Sequence, residues 1–481
     1  MTGKGQGPRQ HRRGPRQAAP TSGHDGQARA STPAAKPSGL AAREVAVAVV
    51  AAVLDSGRSL EDALAAAYAA LPVQGIEPRD RAFVRTLVAT TLRHARPLQH
   101  LIGGYLERPL PDSARTVEHI LLVGAAQLIL LATPPHAAVS LAVEATRRAP
   151  GGGRLDKLVN AVLRRLDREG RAAYAALAPA TRAPPSWMFA RWVACYGEAT
   201  AGAIAAASLT EAGLDITPKT DAALWAERLG GELMTTGTIR VMPGGRIEDL
   251  PGYAEGAWWV QDAAALLPAR LLGDVAGRRV LDLCAAPGGK TAALAATGAR
   301  VTSLDASEVR SRRMRENLGR LGLSADVVVA DARAFDPGHL FDAVLVDAPC
   351  SATGTIRRHP DILHLKRAGD LTHLVPLQRE LLTHAARLVA PGGRLVYCTC
   401  SLEPEEGQAQ IAGLLAARDD FTPLPIEPGE AGISAEWIST AGHLRTLPFH
   451  TPALADDGGD DKAAALPGMD GFFAARLERR A

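Results

Sequence analysis

Three short segments place reactive side chains directly beyond hydrophobic runs of strand length. After Arg279-Val-Leu-Asp-Leu283 come Cys284, Ala285, Ala286, Pro287, Gly288, Gly289 and Lys290. Glycine lets a backbone approach a ligand closely, and a helix that starts there points free N–H groups at it. The string is not the dinucleotide pattern G-x-G-x-x-G. Nor is it a P-loop, because Gly288 and Gly289 directly precede Lys290. A tight strand-to-helix turn would account for one glycine but not for the whole string. Asp305 lies 23 residues beyond Asp282, about the spacing at which an acid takes ribose hydroxyls. Asp331 and Asp347 close two further hydrophobic runs. One such aspartate is usually a turn or cap residue. Three in register describe a nucleoside site, and carboxylates there would also suit a sulfonium cofactor. The run ending at Asp347 leads into Ala348-Pro-Cys350, and the next ends in Thr399-Cys-Ser401. Two thiols, Cys350 and Cys400, thus stand at the mouths of adjacent strands.

These positions need a scaffold. From about residue 260, Arg279–Cys284, Val301–Asp305, Asp326–Asp331, Phe341–Asp347 and Gly393–Cys400 read as buried strands. Helices starting at Thr291, at Glu308 and near 374 alternate with them. The alternation predicts an α/β domain over 251–481 with a doubly wound, mostly parallel sheet, which binds ligands beyond the carboxyl ends of its strands. Residues 44–170 read as an all-α bundle. Its helices are separated by Pro111, Pro134-Pro135 and Pro150-Gly-Gly-Gly153. Ser59-Leu-Glu-Asp62 has the form of a capping box with Asp in the place of Glu. Residues 171–250 read as a small α+β connector, with a helix over Trp187–Ala194 and strands over Leu214–Pro218 and Thr238–Met242. Residues 1–43 hold eight Lys or Arg against one acid, Asp25. This composition predicts a disordered tail, which either adds attraction to phosphates or is a plain soluble extension.

The formal net charge of +3 over 481 residues says little about partners. No apolar run approaches the roughly 20 residues of a membrane span, and the basic N-terminus lacks the apolar stretch of a secretory signal. Cytoplasm is therefore expected. Five cysteines are too few and odd in number for a disulfide framework, and no Cys or His cluster has structural-zinc spacing. No metal, no membrane partner and a monomeric state are expected.

Taken together, Leu281-Asp-Leu-Cys-Ala-Ala-Pro-Gly-Gly-Lys-Thr291, Asp347-Ala-Pro-Cys-Ser351 and Thr399-Cys-Ser401 resemble the cofactor loop and the two cysteine motifs of the RsmB/Sun family of bacterial 16S rRNA cytosine-5 methyltransferases. Val260-Gln-Asp262, Arg445-Thr-Leu-Pro448 and Asp470-Gly-Phe-Phe473 resemble further family segments, and the bundle, with Asn160-Ala-Val-Leu-Arg164, is similar to the NusB RNA-binding fold. The resemblance covers about 44–481. It implies a Rossmann-like methyltransferase domain that uses S-adenosyl-L-methionine, with 16S rRNA or a small-subunit assembly intermediate as partner. It also implies roles. Cys400 is the nucleophile that adds to cytosine C6, Cys350 resolves the adduct, and Asp347 protonates or hydrogen-bonds N3. The loop 284–290 with Asp305, Asp331 and Asp347 holds the cofactor. A free thiol is mostly protonated at neutral pH. Lys290 or nearby helix N-termini would favour the thiolate, a choice the residues leave open.

Two positions depart from the family pattern. Cys398 stands where a small residue is common. By strand alternation it shares a face with Cys400, and it reads as a small buried filler. Gly407 stands where Asn is more usual. Arg164 and Arg165, and Arg357-Arg-His359 just past Cys350, are candidate phosphate contacts. Simple N- or O-methylation of a small molecule or protein would need no thiol pair. A non-catalytic NusB-like RNA-binding or transcription factor would need neither loop nor thiols. The nearest alternative keeps the chemistry and changes the target to another rRNA position or to tRNA.

Overall fold

The computed structural model describes residues 39–70, 76–177, 184–242, 245–455 and 466–481. The basic segment read over 1–43 therefore falls outside the described residues up to 38. Its last four residues are a correction. Helix α1 begins at Leu40, Leu40 and Ala42 are buried, and Arg43 donates to the Gln127 side chain at 2.8 Å.

Among the described residues seven helices build the bundle: α1 (Leu40–Leu54), α2 (Leu60–Ala69), α3 (Pro78–Arg93), α4 (Ala95–Gly104), α5 (Arg115–Ile129), α6 (Pro135–Arg148) and α7 (Asp156–Ala175). Ser59 caps α2 by accepting from the Asp62 amide at 3.1 Å. Helix α5 is apolar on nearly all sides, with the whole of Ile120–Ile129 buried, as befits the central helix of a bundle. Helix α7 runs on to Ala175, past the boundary read at 170.

Among the described residues two helices follow, α8 (Ser186–Tyr196) and α9 (Glu198–Ser208). Their Met188, Trp192 and Ile204 bury against Ile356, Ile362 and Leu402 of the α/β domain rather than against the connector. The connector itself holds β1 (Leu214–Pro218), α10 (Ala222–Leu229), β2 (Glu232–Leu233), β3 (Ile239–Val241) and β4 (Trp258–Val260), in an antiparallel sheet ordered β2-β3-β1-β4. Strand β4 lies beyond the boundary read at 250, so the connector sheet extends into the segment assigned to the α/β domain.

The α/β domain comprises α11 (Ala263–Arg270), β5 (Arg279–Leu283), α12 (Gly289–Ala296), β6 (Arg300–Asp305), α13 (Glu308–Leu321), β7 (Asp326–Val329), β8 (Phe341–Asp347), α14 (Ile362–Leu365), α15 (Leu371–Leu388), β9 (Val389–Thr399), α16 (Gln408–Ala417), β10 (Phe421–Pro423), β11 (Leu444–Thr446) and β12 (Phe472–Arg479). The order is β10-β12-β9-β8-β5-β6-β7, with β11 also on β12. Strands β5 to β9 pair in parallel and β12 runs antiparallel to β9. The chain reverses direction across the sheet between β5 and β8, the switch point where ligands bind in such sheets.

Alternation along the strands separates two cores. Val280, Leu345, Val396, Cys398 and Ala474 face one side, while Leu281, Val346, Leu395, Tyr397 and Phe473 face the other. Each such buried aliphatic side chain contributes roughly 1.5–3 kcal/mol. The insert after Cys350 docks on the bundle. Asp361 accepts from the Leu60 amide at 3.0 Å, and Arg93 donates to the Arg357 carbonyl at 2.8 Å.

Candidate active site

Asp347 and Cys398 are paired neighbours in the β8–β9 register, and the Ala348 amide bonds to the Cys398 carbonyl at 3.0 Å. This pairing carries the two cysteine loops out of the sheet side by side. The Cys350 and Cys400 sulfurs end 3.5 Å apart. The shared contact with Cys400, reinforced by burial, raises the Cys350 thiol well above its ordinary value. Both cysteines remain half-buried, whereas Cys398 is fully buried. The Cys398 sulfur sits 3.5 Å from Asp347 Oδ1, and burial beside that carboxylate keeps the thiol protonated.

Lys290 reaches the same point from α12. Its Nζ donates to Asp347 Oδ2 at 2.7 Å and lies 5.0 Å from the centre of the Phe472 ring. Burial lowers the pKa of the ammonium, but its negatively charged surroundings, Asp347 foremost, more than offset this and raise it. The hydrogen bond of Lys290 thus goes to the carboxylate and not to a thiol.

The cofactor loop turns sharply between β5 and α12. Gly288 adopts φ +100°, and a Cβ there would meet Met314 Cγ at 2.6 Å, so only glycine fits. The Ala286–Pro287 peptide is cis. Cys284 also has positive φ, and burial pushes its thiol up to about 12, which leaves it an unreactive loop member. Asp305, at the end of β6, is buried. Its Oδ2 accepts from the Ala286 amide at 3.2 Å and its Oδ1 from the Ser307 amide at 2.9 Å. Arg310 closes the turn, donating to the Ala286 carbonyl and lying 3.6 Å from Asp305.

The structure therefore brings Lys290, Asp347, Cys350, Cys398 and Cys400 together beside the loop 284–290. Asp331 is different. Strand β7 ends at Val329, two residues short of the expected end, and Asp331 is exposed and chelated by Arg333 at 2.7 Å. Hydrogen bonds from the Arg333 guanidinium hold its carboxyl at about 2.

The Arg357-Arg-His359 segment past Cys350 also needs correction as a set of phosphate contacts. Arg357 is buried, 3.6 Å from Asp470. Arg358 pairs with Asp262 and, at 3.0 Å, with Asp470. Arg164 and Arg165 are exposed on α7, but each has a local partner: Arg164 donates to Asn160, and Arg165 pairs with Glu169.

Sequence reasoning missed Glu406. It is fully buried and accepts hydrogen bonds from both serines that follow the active-site cysteines, Ser351 and Ser401. The only signal was the repetition of Ser after each Cys. Also unread was a groove of about 900 Å³ between bundle, connector and α/β domain, with Arg81, Arg85, Arg246, Arg310 and Arg313 on its walls and Pro287 of the loop at its edge. A second space of about 420 Å³ shares Arg85 and Arg246 and reaches His359. Among the described residues no group of His, Cys, Asp or Glu could hold a metal ion, and no helix is long and apolar enough to cross a membrane.

The geometry has counterparts in known proteins. Residues 269–478 match the family model described as 16S rRNA methyltransferase RsmB/F, and residues 40–168 match the NusB family. Ribosomal RNA small subunit methyltransferase B of Vibrio cholerae is 38% identical over 410 residues, covering 81% of this chain and 92% of that protein. The protein of the same name from Xylella fastidiosa strain 9a5c is 38% identical over 451 residues, covering 90% and 99%. The crystal structure of PH0851 superposes with a TM-score of 0.66 at 21% identity, covering 91% of this chain and 99% of the other, and so shares its fold. A methyltransferase homolog from Pyrococcus horikoshii matches with a TM-score of 0.50 at 26% identity, over 61% of this chain and 95% of its own. With this similarity running through nearly the whole length of its relatives, the chain belongs to the RsmB/F family and is an RNA methyltransferase.

Proposed function

We propose that the chain methylates carbon 5 of a cytosine in 16S rRNA through a covalent adduct between Cys400 and cytosine C6. The observation that carries this reading is the pair of half-buried thiols, 3.5 Å apart, at the mouths of two adjacent strands. Methylation of an already nucleophilic nitrogen or oxygen needs no thiol, whereas cytosine C5 must first be activated. S-adenosyl-L-methionine supplies an electrophilic methyl group on a sulfonium. The donor set suits it: backbone of the loop 284–289 at the start of α12, Asp305 for the nucleoside, joined by Asp331 on release of its Arg333 pair, and a half-buried Asp347 carboxyl group near the positive sulfur.

The Cys400 thiolate adds to C6, and the electron pair moves through the ring to N3. Asp347, in its carboxylic acid form and with Oδ2 held by Lys290 Nζ, stands to protonate or hydrogen-bond N3. The resulting enamine carbon C5 takes the methyl group. Cys350, as a thiolate that has already given its own proton to solvent, then takes the C5 proton as the Cys400–C6 bond breaks, N3 returns its proton to Asp347 and the aromatic ring is restored. The raised pKa of Cys350 fits a strong base that ends the cycle as a neutral thiol.

RNA fits the groove beside this site. Its lining includes the exposed Arg246 and Arg313, and Val309, 76% exposed, adds apolar contact surface for bases. The target base must leave its stack or be unpaired to reach Cys400. The relatives named for the ribosomal small subunit support 16S rRNA as the target.

In denaturing gels after incubation with cofactor and RNA, Cys350→Ala is expected to accumulate a protein–RNA adduct and Cys400→Ala to form none. The reverse pattern would overturn the assignment. Bisulfite sequencing of rRNA and tRNA from a strain lacking the gene should show one lost methylcytosine in 16S rRNA, and a loss in tRNA alone would refute the target.

A further inference from the structure

Glu406 lies on the turn between β9 and α16, with no side-chain surface exposed. Four donors from three elements converge on its carboxylate. Oε1 accepts from the Ser351 amide at 2.9 Å and from Gln378 Nε2 of α15 at 2.9 Å. Oε2 accepts from Ser401 Oγ at 2.5 Å and from Ser351 Oγ. Gln378 also donates to the Pro349 carbonyl at 2.8 Å. Cys350 is thus gripped on both flanks, and Cys400 on one, by groups that all meet at Glu406. Three other contacts join the same loops: Ser351 Oγ with Ser401 Oγ at 3.1 Å, Gly354 N to the Cys400 carbonyl at 3.0 Å and Leu402 N to Thr353 Oγ1 at 3.0 Å. Only the first touches a residue flanking Cys350, and its two hydroxyls are the ones that Glu406 binds. Hydrogen bonds to an ionised acceptor are roughly twice as strong as neutral ones, so a buried carboxylate is well suited to fix two loops that must not drift apart.

We propose that Glu406 is a positioning residue for release: through Ser351 and Ser401 its carboxylate holds Cys350 where the C5 proton of the Cys400 adduct will be. The proposal rests on the adduct chemistry above. Attack makes no use of Cys350. Release requires both sulfurs correctly placed about one ring, so it is the step that a loosened clamp slows.

The test is Glu406→Gln, with Ser351→Ala as a milder variant should the first fold poorly. The glutamine amide has the same shape, and the two serine hydroxyls can rotate to accept from it. Adduct formation is expected within threefold of wild type, with release slowed at least tenfold, so that adduct accumulates, while cofactor and RNA affinities hold. The second readout uses RNA-free protein. Diamide takes two hydrogens from the Cys350 and Cys400 thiols and leaves a disulfide, and Glu406→Gln should slow this closure at least fivefold. Wild-type release together with a wild-type closure rate would overturn the proposal. So would a loss of folding, cofactor binding, RNA binding and adduct formation in one proportion, which would mark a merely structural role. If wild-type protein forms no Cys400 adduct, the chemistry proposed above fails, and the diamide rates still decide whether Glu406 places the two thiols.

Discussion

Asp282 lies under the cofactor loop with no surface exposed. Its Oδ2 accepts from Thr291 Oγ1 at 2.6 Å, and that hydroxyl in turn accepts from Ser303 Oγ at 3.1 Å. Its Oδ1 has no hydrogen-bond partner among the described residues. Burial, against the opposing pull of Thr291, pushes the carboxyl from 3.8 up to about 7. In the unfolded chain the group ionises near 3.8, so between about pH 4 and pH 7 the folded state carries a proton that the unfolded state has lost. Stability from this group therefore falls as pH rises through that window and stays lower above it. At about 1.4 kcal/mol per pKa unit, the decline is on the order of 2 to 4 kcal/mol. Asp282→Asn keeps an acceptor for Thr291 and removes the ionisation. Denaturant titrations should show the variant gaining stability relative to wild type between pH 5 and pH 8; a constant difference across that range would count against a raised pKa.

At the scale of elements, the cysteine loops are located by where strands end and by how closely a third loop approaches. Gly354 donates to the Cys400 carbonyl, and its own carbonyl accepts from Gly471 N at 2.9 Å, just before β12. A Cβ on Gly354 would fall 1.9 Å from the Gly471 carbonyl oxygen, against backbone that cannot rotate away. Gly354→Ala must therefore push the Cys350 loop off the β12 entry. A loss of about 1–3 kcal/mol is expected from overpacking, together with slowed turnover. Gly413→Ala on α16 is the matched control, since nothing lies within 4 Å of its Cβ position. There, alanine should be neutral or stabilising by about 0.5–1 kcal/mol. Equal stability of the two variants by chemical denaturation would contradict the close approach.

Over the whole molecule, the bundle and the α/β domain share a boundary that is both mechanical and electrostatic. The insert after Cys350 leans on the bundle through Asp361, Arg357 and His364, and the groove beside it collects arginines from α3, the connector and α13. If this groove carries the RNA backbone, each arginine that meets a phosphate releases bound counterions. Arg313→Ala and Arg246→Ala are expected to weaken RNA binding and to lower the slope of log affinity against log salt by about 0.7 per lost contact to single-stranded RNA. Cofactor affinity should be unchanged. Filter binding at four or five salt concentrations measures the slope, and an unaltered slope in both variants would place the RNA elsewhere.

Much of the architecture was legible in the chain itself. Strands buried on both faces of a parallel sheet must be continuous apolar runs, so β5, β6, β8 and β9 announce themselves, and whatever follows each run stands at the ligand end of the sheet. That rule alone delivers Lys290, Asp305, Asp347, Cys350 and Cys400. It failed where local pattern is weak. Strand β7 ends at Val329, and Asp331 beyond it meets Arg333. Strand β12 was not read as a strand, although its Arg476 is buried and bonds to backbone carbonyls of neighbouring segments. Arg357 and Arg358 look like phosphate ligands because sequence shows a charge and not its partner. Asp262 and Asp470, about a hundred residues away on either side, claim them only in the fold. Glu406 is the same case with the opposite sign. The sequence by itself determined which reactive groups reach the mouth of the sheet, because strand periodicity is local. Only the tertiary structure decided which charges stay free for a substrate and which hold the site together, because a buried charge must find its counter-charge or donors wherever the chain brings them.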